Sequence, residues 1–134
     1  MKKYLLDTNI CVYFLKGQFD IHTKIEKAAI ENCFLSEITI AELKYGAENS
    51  ENQAKNRKTI DDFVSKFTIV PIFNALDVYA KEKARLKKKG LPLDDFDLLI
   101  GATAIANNFT LVTRNVSDFH RLEGIEIENW VVTQ

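Results

Sequence analysis

Four acidic residues stand beside apolar segments in a pattern that suggests metal chemistry. Asp7 directly follows a short apolar segment, and Glu42 lies within a mostly apolar stretch. Asp97 directly precedes a long apolar run, and Asp118 follows the β-rich segment 110–113. Carboxylate oxygens favour hard divalent cations such as Mg²⁺ or Mn²⁺. If the fold brings these acids together, they would form a site for such an ion.

Each acid also has a structural interpretation. Asp7 could cap the helix that follows it, and Thr39 and Glu42 have the spacing of a helix capping box. Asp118 could be an ordinary turn acid at the surface. Asp97 is the hardest to explain in this way, because the segment 98–106 is apolar almost all round and predicts a buried helix. A carboxylate buried there is costly unless it is paired or bound to a metal.

Short β-rich segments alternate with longer helical ones along the chain. Apolar periodicity and turn residues, such as Gly90 followed by Pro92, define the elements. Strands are predicted at 3–6, 33–35, 68–71, 110–113 and 125–128. Helices are predicted at 9–15, 20–31, 39–48 (opened by Thr39) and 52–66, then from the end of the third strand to about 89, and from Asp94 or Asp95 to about 107.

This alternation predicts an α/β fold with a central, mainly parallel sheet flanked by helices. In such sheets chemistry gathers outside the carboxyl ends of the strands. Three separate elements would therefore deliver carboxylates to one edge, where like charges repel unless a cation binds. Two such ions could activate a water and stabilise the leaving oxygen of a phosphodiester. The pattern favours a metal-dependent nuclease.

The composition of the chain indicates its domain number, its broad class of protein and its expected location. The 134 residues fit one domain, and 46% hydrophobic and 28% charged residues are typical of a globular protein. No apolar run approaches the roughly 20 residues that span a bilayer, and the N-terminal one is too short for a signal peptide, so a cytoplasmic location is expected. Cys11 and Cys33 lack zinc-ligand spacing and are predicted to be reduced core residues.

Positive charge is local, since the formal net charge is −1. Basic residues group at 81–89 and 55–58, a pattern that usually marks a solvated helix face. Arg114 is more informative, because it follows the strand at 110–113. We expect Arg114 to contact a backbone phosphate near the acids, so that its replacement by alanine weakens RNA binding and lowers the salt dependence.

Four sequence blocks carry a family resemblance. They are LLDTNICVYFLKG at the start, SEITIAELKYGA around Glu42, GLPLDDFDLLIGATAIA around Asp97 and LVTRNVSDFHRL near the end. In this order they resemble the PIN-domain ribonucleases, in particular the VapC toxins of bacterial toxin–antitoxin pairs. The resemblance covers essentially the whole chain. It implies a single PIN-like, Rossmann-like domain over residues 1–134 and a magnesium- or manganese-dependent endoribonuclease.

The resemblance also implies site residues. Asp7, Glu42 and Asp97 match the catalytic acidic core of the family. Many relatives carry a fourth acid where this chain has Asn115, so Asp118 is the expected substitute and is grouped with the other three as a metal ligand. Other polar residues at the carboxyl ends of the strands are expected to support the site by holding waters or carboxylates. They are Thr8, Ser36, Thr113 and Asn115.

Partners follow from the resemblance in the same way. It implies inhibition by a cognate VapB-type antitoxin, a homodimer, and an RNA substrate such as tRNA or ribosomal RNA. The sequence does not choose among these RNAs. Neither does it choose between one metal ion and two.

Two other classes remain as alternatives. Phosphoryl-transfer domains of the receiver or haloacid-dehalogenase type also have an acidic pocket on a parallel sheet. The latter need a second aspartate where this chain has Asn9, and the former need a lysine at a later strand end, where this chain has 113–115 (TRN). The second alternative is a PIN-like module that binds RNA or protein without catalysis. The intact acidic triad argues against it.

Overall fold

The computed structural model describes residues 1–131, which fold around a five-stranded sheet. All four strand pairs are parallel, and the strand order is β3-β2-β1-β4-β5. The strands are β1 (Tyr4–Leu6), β2 (Cys33–Ser36), β3 (Thr68–Val70), β4 (Thr110–Val112) and β5 (Glu126–Glu128). The prediction of an α/β fold with a mainly parallel sheet is confirmed, and in the described residues the sheet is wholly parallel.

Seven α-helices connect these strands within the described part of the chain. They are α1 (Thr8–Leu15), α2 (Ile21–Ala28), α3 (Glu37–Glu48), α4 (Gln53–Val64), α5 (Leu76–Lys88), α6 (Asp95–Ala106) and α7 (Val116–Phe119). Short 3₁₀ helices cover Ile30–Asn32 and Phe73–Ala75.

Helices cover both faces of the sheet because side chains alternate along each strand. On β1, Leu6 packs in a core cluster with residues of α1 to α4, such as Ile10 and Phe63. Leu5, its neighbour, packs in a second cluster with residues of α5 and α6. Both leucines are fully buried, so the central strand is fixed from both sides.

The sequence located every strand to within a residue or two, but it misplaced the ends of several helices and did not predict α7. The helix predicted at 20–31 ends at Ala28, because Ala29 has a positive φ of 73° and the chain continues as a 3₁₀ turn. The segment after β3 begins with the 3₁₀ turn Phe73–Ala75, and α5 follows.

The start of α3 corrects the capping-box interpretation. The helix begins at Glu37, and Ser36 caps it by accepting a hydrogen bond from the Ile38 amide at 3.0 Å. Thr39 therefore lies inside the helix and is not its cap. Glu42 is consequently free of the reciprocal contact that a capping box would require.

The turn between α5 and α6 follows the prediction. Helix α5 ends at Lys88, and Gly90 has a positive φ of 68° that glycine adopts without strain. Asp94 caps α6 through the Phe96 amide, at 3.1 Å, and leaves Asp97 in the first turn. Cys11 and Cys33 are buried and unbonded, as expected for reduced core residues.

No helix within residues 1–131 is long and apolar enough to cross a membrane.

Helix α6 approaches the end of α7 closely at Gly101. A Cβ atom placed there would lie 2.2 Å from Leu122 Cδ1 and 3.4 Å from Phe119 Cδ1. Both neighbours are buried, so neither has free space to move into. The missing side chain of Gly101 lets α6 pack against this segment.

Gly101→Ala is expected to lower the free energy of unfolding by about 1 kcal/mol, because overpacking outweighs the better helix propensity of alanine. Gly46→Ala in α3 is the matched control, since nothing lies within 4 Å of a Cβ there. That control should gain about 1 kcal/mol from propensity alone. Urea titrations of both variants measure the difference, and equal gains would contradict the close packing.

Candidate active site

The acidic residues gather where three neighbouring strands end. Strand β1 lies between β2 and β4, and all three run in the same direction. Their carboxyl ends therefore place Asp7, Ser36 and Thr113 at one edge of the sheet. Helices α3 and α6 add Glu42 and Asp97 to this edge.

Asp7 is held in a fixed orientation. Its side chain is 5% exposed, and its Oδ2 accepts a hydrogen bond from the Thr113 hydroxyl at 2.8 Å. Its Oδ1 accepts from the Thr8 amide at 2.8 Å, so Asp7 also caps α1. Burial raises the pKa of this carboxyl, the two hydrogen bonds oppose the rise, and the charge of Glu42 adds to it.

Glu42 accepts a hydrogen bond from the Thr8 hydroxyl, which in turn contacts the Thr39 hydroxyl. Thr8 Oγ1 lies 2.7 Å from Glu42 Oε1 and 3.1 Å from Thr39 Oγ1. Because Thr8 has one hydroxyl hydrogen, it donates to the carboxylate and accepts from Thr39. Thr39, which is fully buried, therefore supports the site through Thr8. The sequence indicates Thr39 only as a helix cap and gives no sign of this contact.

Asp97 has the most perturbed carboxyl of the group. It is half-buried in the first turn of α6, and no Lys, Arg or His within residues 1–131 pairs with it. Burial, followed by the charges of Asp7, Asp94, Glu42 and Asp118, raises its pKa from 3.8 to about 6. The pKa of Asp97 therefore reflects its burial first and the negative charge of the neighbouring acids second.

Two residues, Asn115 and Asp118, lie where the fourth acid of the site is expected. We call this position the fourth corner. Asn115 Nδ2 donates to Asp118 Oδ2 at 3.0 Å, and the Arg121 guanidinium lies 3.4 Å from Asp118 Oδ1. Both carboxylate oxygens of Asp118 thus have partners, whereas Asp97 has no cationic one. The structure brings Asn115 and Asp118 together at this position.

Arg121 links this corner to the loop before α6. Its Nη1 donates to the Pro92 carbonyl at 3.1 Å, and its own carbonyl accepts from Arg85 at 2.7 Å. Arg85 in turn pairs with the buried Glu82 at 2.8 Å. The hydrogen bond from Arg85 holds the pKa of Glu82 below its usual range. This chain of contacts joins residues that are far apart in sequence, and periodicity alone contains no signal for it.

Arg114 lies exposed beside the cluster, as the sequence suggested. Its amide donates to Asn9 Oδ1 at 3.4 Å, and its guanidinium packs against Tyr13 and Phe19. Several other basic residues pair locally: Lys83 with Asp95, Arg57 with Glu48 and Lys58 with Asp62. These pairs agree with the solvated-face interpretation of the basic groups.

A divalent cation fits the chemistry of this donor set. Asp7 and Asp97 supply hard oxygen atoms and raise each other's energy in its absence. Within residues 1–131, however, no group of three or more His, Cys, Asp or Glu side chains is arranged to hold a metal by itself. The donor set therefore suits an ion such as Mg²⁺, which uses one or two carboxylates and takes its other ligands from water and substrate phosphate.

The chain belongs to the PIN-domain family, whose family model matches residues 4–125. It is 38% identical over 130 residues to Ribonuclease VapC2 of Rickettsia felis, which covers 95% of this chain and 97% of the relative. It is 31% identical over 132 residues to the tRNA(fMet)-specific endonuclease VapC of Salmonella typhimurium, with coverage of 97% and 99%.

Solved structures agree with this assignment. The crystal structure of VapBC2 from Rickettsia felis bound to a promoter DNA fragment contains a chain with a TM-score of 0.89 and 37% identity, covering 95% of this chain and 98% of that one. DNA-bound VapBC from Salmonella typhimurium gives a TM-score of 0.91 at 31% identity, with coverage of 97% and 99%. The expected PIN-domain fold is confirmed.

Asp97→Asn is expected to stabilise the metal-free protein by about 1 kcal/mol at pH 8, a value reduced for the partial exposure of the group. The folded-state pKa of Asp97 lies above its usual value, so the folded protein binds the extra proton between about pH 4 and pH 6. The free energy of unfolding of the wild type therefore falls as pH rises through this window.

Urea titrations from pH 4 to pH 8 with a chelator measure this effect, and the gain of the variant should vanish near pH 4. Asp77→Asn, an exposed acid in the first turn of α5, serves as the control. A gain that is absent at pH 8, or equal at all pH values, contradicts the raised pKa of Asp97.

Proposed function

We propose that the protein is the toxin of a toxin–antitoxin pair and cleaves RNA as a metal-dependent endoribonuclease. One observation carries the proposal: Asp7, Glu42 and Asp97 lie at one sheet edge with no basic partner in the described residues, where burial and then the neighbouring acids raise the pKa of Asp97. An edge with this electrostatic arrangement favours a divalent cation. It also favours a phosphodiester that binds through the cation.

The relatives support ribonuclease activity and a toxin role. Those described above are called ribonuclease VapC2 and tRNA(fMet)-specific endonuclease VapC. Each matches nearly the full length of this chain. From these relatives we infer hydrolysis of an RNA phosphodiester, with tRNA as the first substrate to test.

Asp7 and Asp97 would hold the Mg²⁺ or Mn²⁺ ion, with Glu42 and Asp118 reaching it directly or through water. The bound ion would supply an activated water and stabilise the charge on the leaving oxygen. Thr113 keeps Asp7 from turning away, since its hydroxyl donates to the Asp7 carboxylate. Thr8 does the same for Glu42.

Asn115 and Asp118 bear on how many ions bind. Asp118 already contacts Asn115 and Arg121, and this lowers its capacity as a ligand. The arrangement therefore favours one tightly held ion near Asp7 and Asp97. A second ion would have to displace the Arg121 contact.

The structural neighbours also support an antitoxin partner. The similar solved chains come from VapBC complexes, which are bound to DNA in the two cases above. We therefore propose a VapB-type antitoxin that inhibits this protein. A homodimer of the chain and its assembly into a larger complex with the antitoxin are part of the same proposal.

Asp7→Ala, Glu42→Ala and Asp97→Ala are each expected to lower RNA cleavage by at least about a hundredfold, because each removes a ligand or its support. Initiator tRNA incubated with the purified chain and Mg²⁺ or Mn²⁺ is the assay, read as cleaved fragments on a gel. Asp77→Ala is the matched control, an exposed acid outside the site, and should cleave like the wild type.

Unchanged circular dichroism must accompany the loss in each variant. Cleavage retained by Asp97→Ala would contradict the assignment. A wild type that binds tRNA but cleaves no RNA would favour the non-catalytic binding module instead.

A further inference from the structure

Arg114 is held by aromatic rings although acidic side chains lie nearby. Its guanidinium carbon lies 5.7 Å from the centre of the Tyr13 ring and 5.4 Å from that of Phe19. Its Nη1 donates to the Tyr13 hydroxyl at 2.9 Å. The two rings meet edge to face with centroids 4.8 Å apart. We call Tyr13 and Phe19 the aromatic seat.

The backbone is strained where it presents the seat. Phe19 has a φ of 58° and Asp20 a φ of 57°, in the left-handed region that bulky residues avoid. Such strain persists only where surrounding contacts impose it, and it gathers at functional positions. Phe19 packs against the first core cluster, and it also contacts the Tyr13 ring and the Arg114 guanidinium.

The aromatic seat holds the Arg114 guanidinium where it forms no ion pair with a carboxylate of the described residues. Within residues 1–131 no carboxylate lies within 4.0 Å of its guanidinium. The acids are nevertheless near, because the Arg114 amide contacts Asn9 in the first turn of α1, and Asp7 caps that helix. Asp20, next to Phe19, accepts instead from Thr23 at 2.8 Å. A free arginine beside an acidic cluster would fold onto it and neutralise it. Contact with the two rings and the hydrogen bond to the Tyr13 hydroxyl hold the guanidinium away from the acids, and Arg114 is exposed.

An exposed and oriented guanidinium is suited to a phosphate. Its planar donors match phosphate oxygens in pairs, and contact with the two rings reduces the freedom that binding would otherwise remove. RNA carries phosphates at regular intervals, so one strand can reach the acidic cluster and Arg114 together. This geometry favours RNA over an acidic protein segment.

We propose that Tyr13 and Phe19 are positioning residues that hold Arg114 as an anchor for an RNA phosphate next to the cleaved one. The proposal rests on the proposed function and adds a binding subsite to it. With this anchor, the RNA strand would run past the N-terminal end of α1 towards Asp7 and Asp97.

The test measures the affinity of an initiator tRNA transcript in an Asp97→Asn background, where cleavage is blocked. Arg114→Ala should weaken binding and lower the slope of log K against log salt by about 0.7–0.9, the value for one lost phosphate contact. Phe19→Leu and Tyr13→Phe should each weaken binding about two- to fivefold, because the seat no longer holds the guanidinium.

Lys3→Ala is the matched control for charge. Lys3 also lies over an aromatic ring, that of Phe34, at 5.8 Å, but it precedes β1 and so stands at the opposite edge of the sheet. Its replacement should leave the affinity and the salt slope unchanged. Thermal melting of every variant checks that the fold is kept.

A double-mutant cycle separates positioning from simple structural support. In an Arg114→Ala background, Phe19→Leu should cause no further loss of RNA affinity, because the seat acts only through Arg114. Additive losses, or an unchanged affinity in Arg114→Ala, would overturn the anchor. So would an equal loss of affinity for a polyglutamate peptide, which would assign Arg114 to an acidic protein partner.

The two proposals fail differently. A wild type that cleaves tRNA while these variants keep full affinity refutes the anchor and leaves the proposed function intact. A wild type that neither binds nor cleaves RNA contradicts both.

Discussion

Repulsion between carboxylates is the constraint around which this molecule is organised. Asp7 and Asp97 come from a strand end and a helix start and meet at the same edge of the sheet. Neither has a cationic partner within residues 1–131, and burial prevents water from screening them fully. Keeping these carboxylates together lowers the stability of the metal-free fold, and burial followed by the charge of Asp7 raises the pKa of Asp97.

Packing of the two cores fixes the elements that carry Asp7 and Asp97. Leu5 and Leu6 anchor the central strand in the two cores, so Asp7 leaves a strand that is fixed on both faces. Gly101 lets α6 lie close to the 119–122 segment, which fixes the helix that carries Asp97. The Thr113 hydroxyl then orients Asp7. The strain tolerated at Phe19 fits the same arrangement, in which local cost is accepted next to the site.

Much of this could be read from the sequence because it depends on local pattern and one topological rule. Strand ends in parallel sheets share an edge, so Asp7, Thr113 and Ser36 were predictable neighbours. The cap of α3 was misassigned because Ser36 and Thr39 are both good capping residues, and only the backbone at Ser36 decides between them. The aromatic seat and the Arg121 contacts were missed for a different reason. They join distant positions, and no glycine or asparagine marks the left-handed turn at Phe19.

We propose that Asp7 and Asp97, which have no cationic partner within residues 1–131, together bind a divalent cation. Anomalous diffraction from a crystal of the protein soaked in Mn²⁺ tests it most directly. We expect a manganese peak within coordination distance of both carboxylates, with water as the remaining ligands, and no such peak in Asp97→Asn. A crystal with no manganese between Asp7 and Asp97, or with manganese bound only at Asp118, would contradict it.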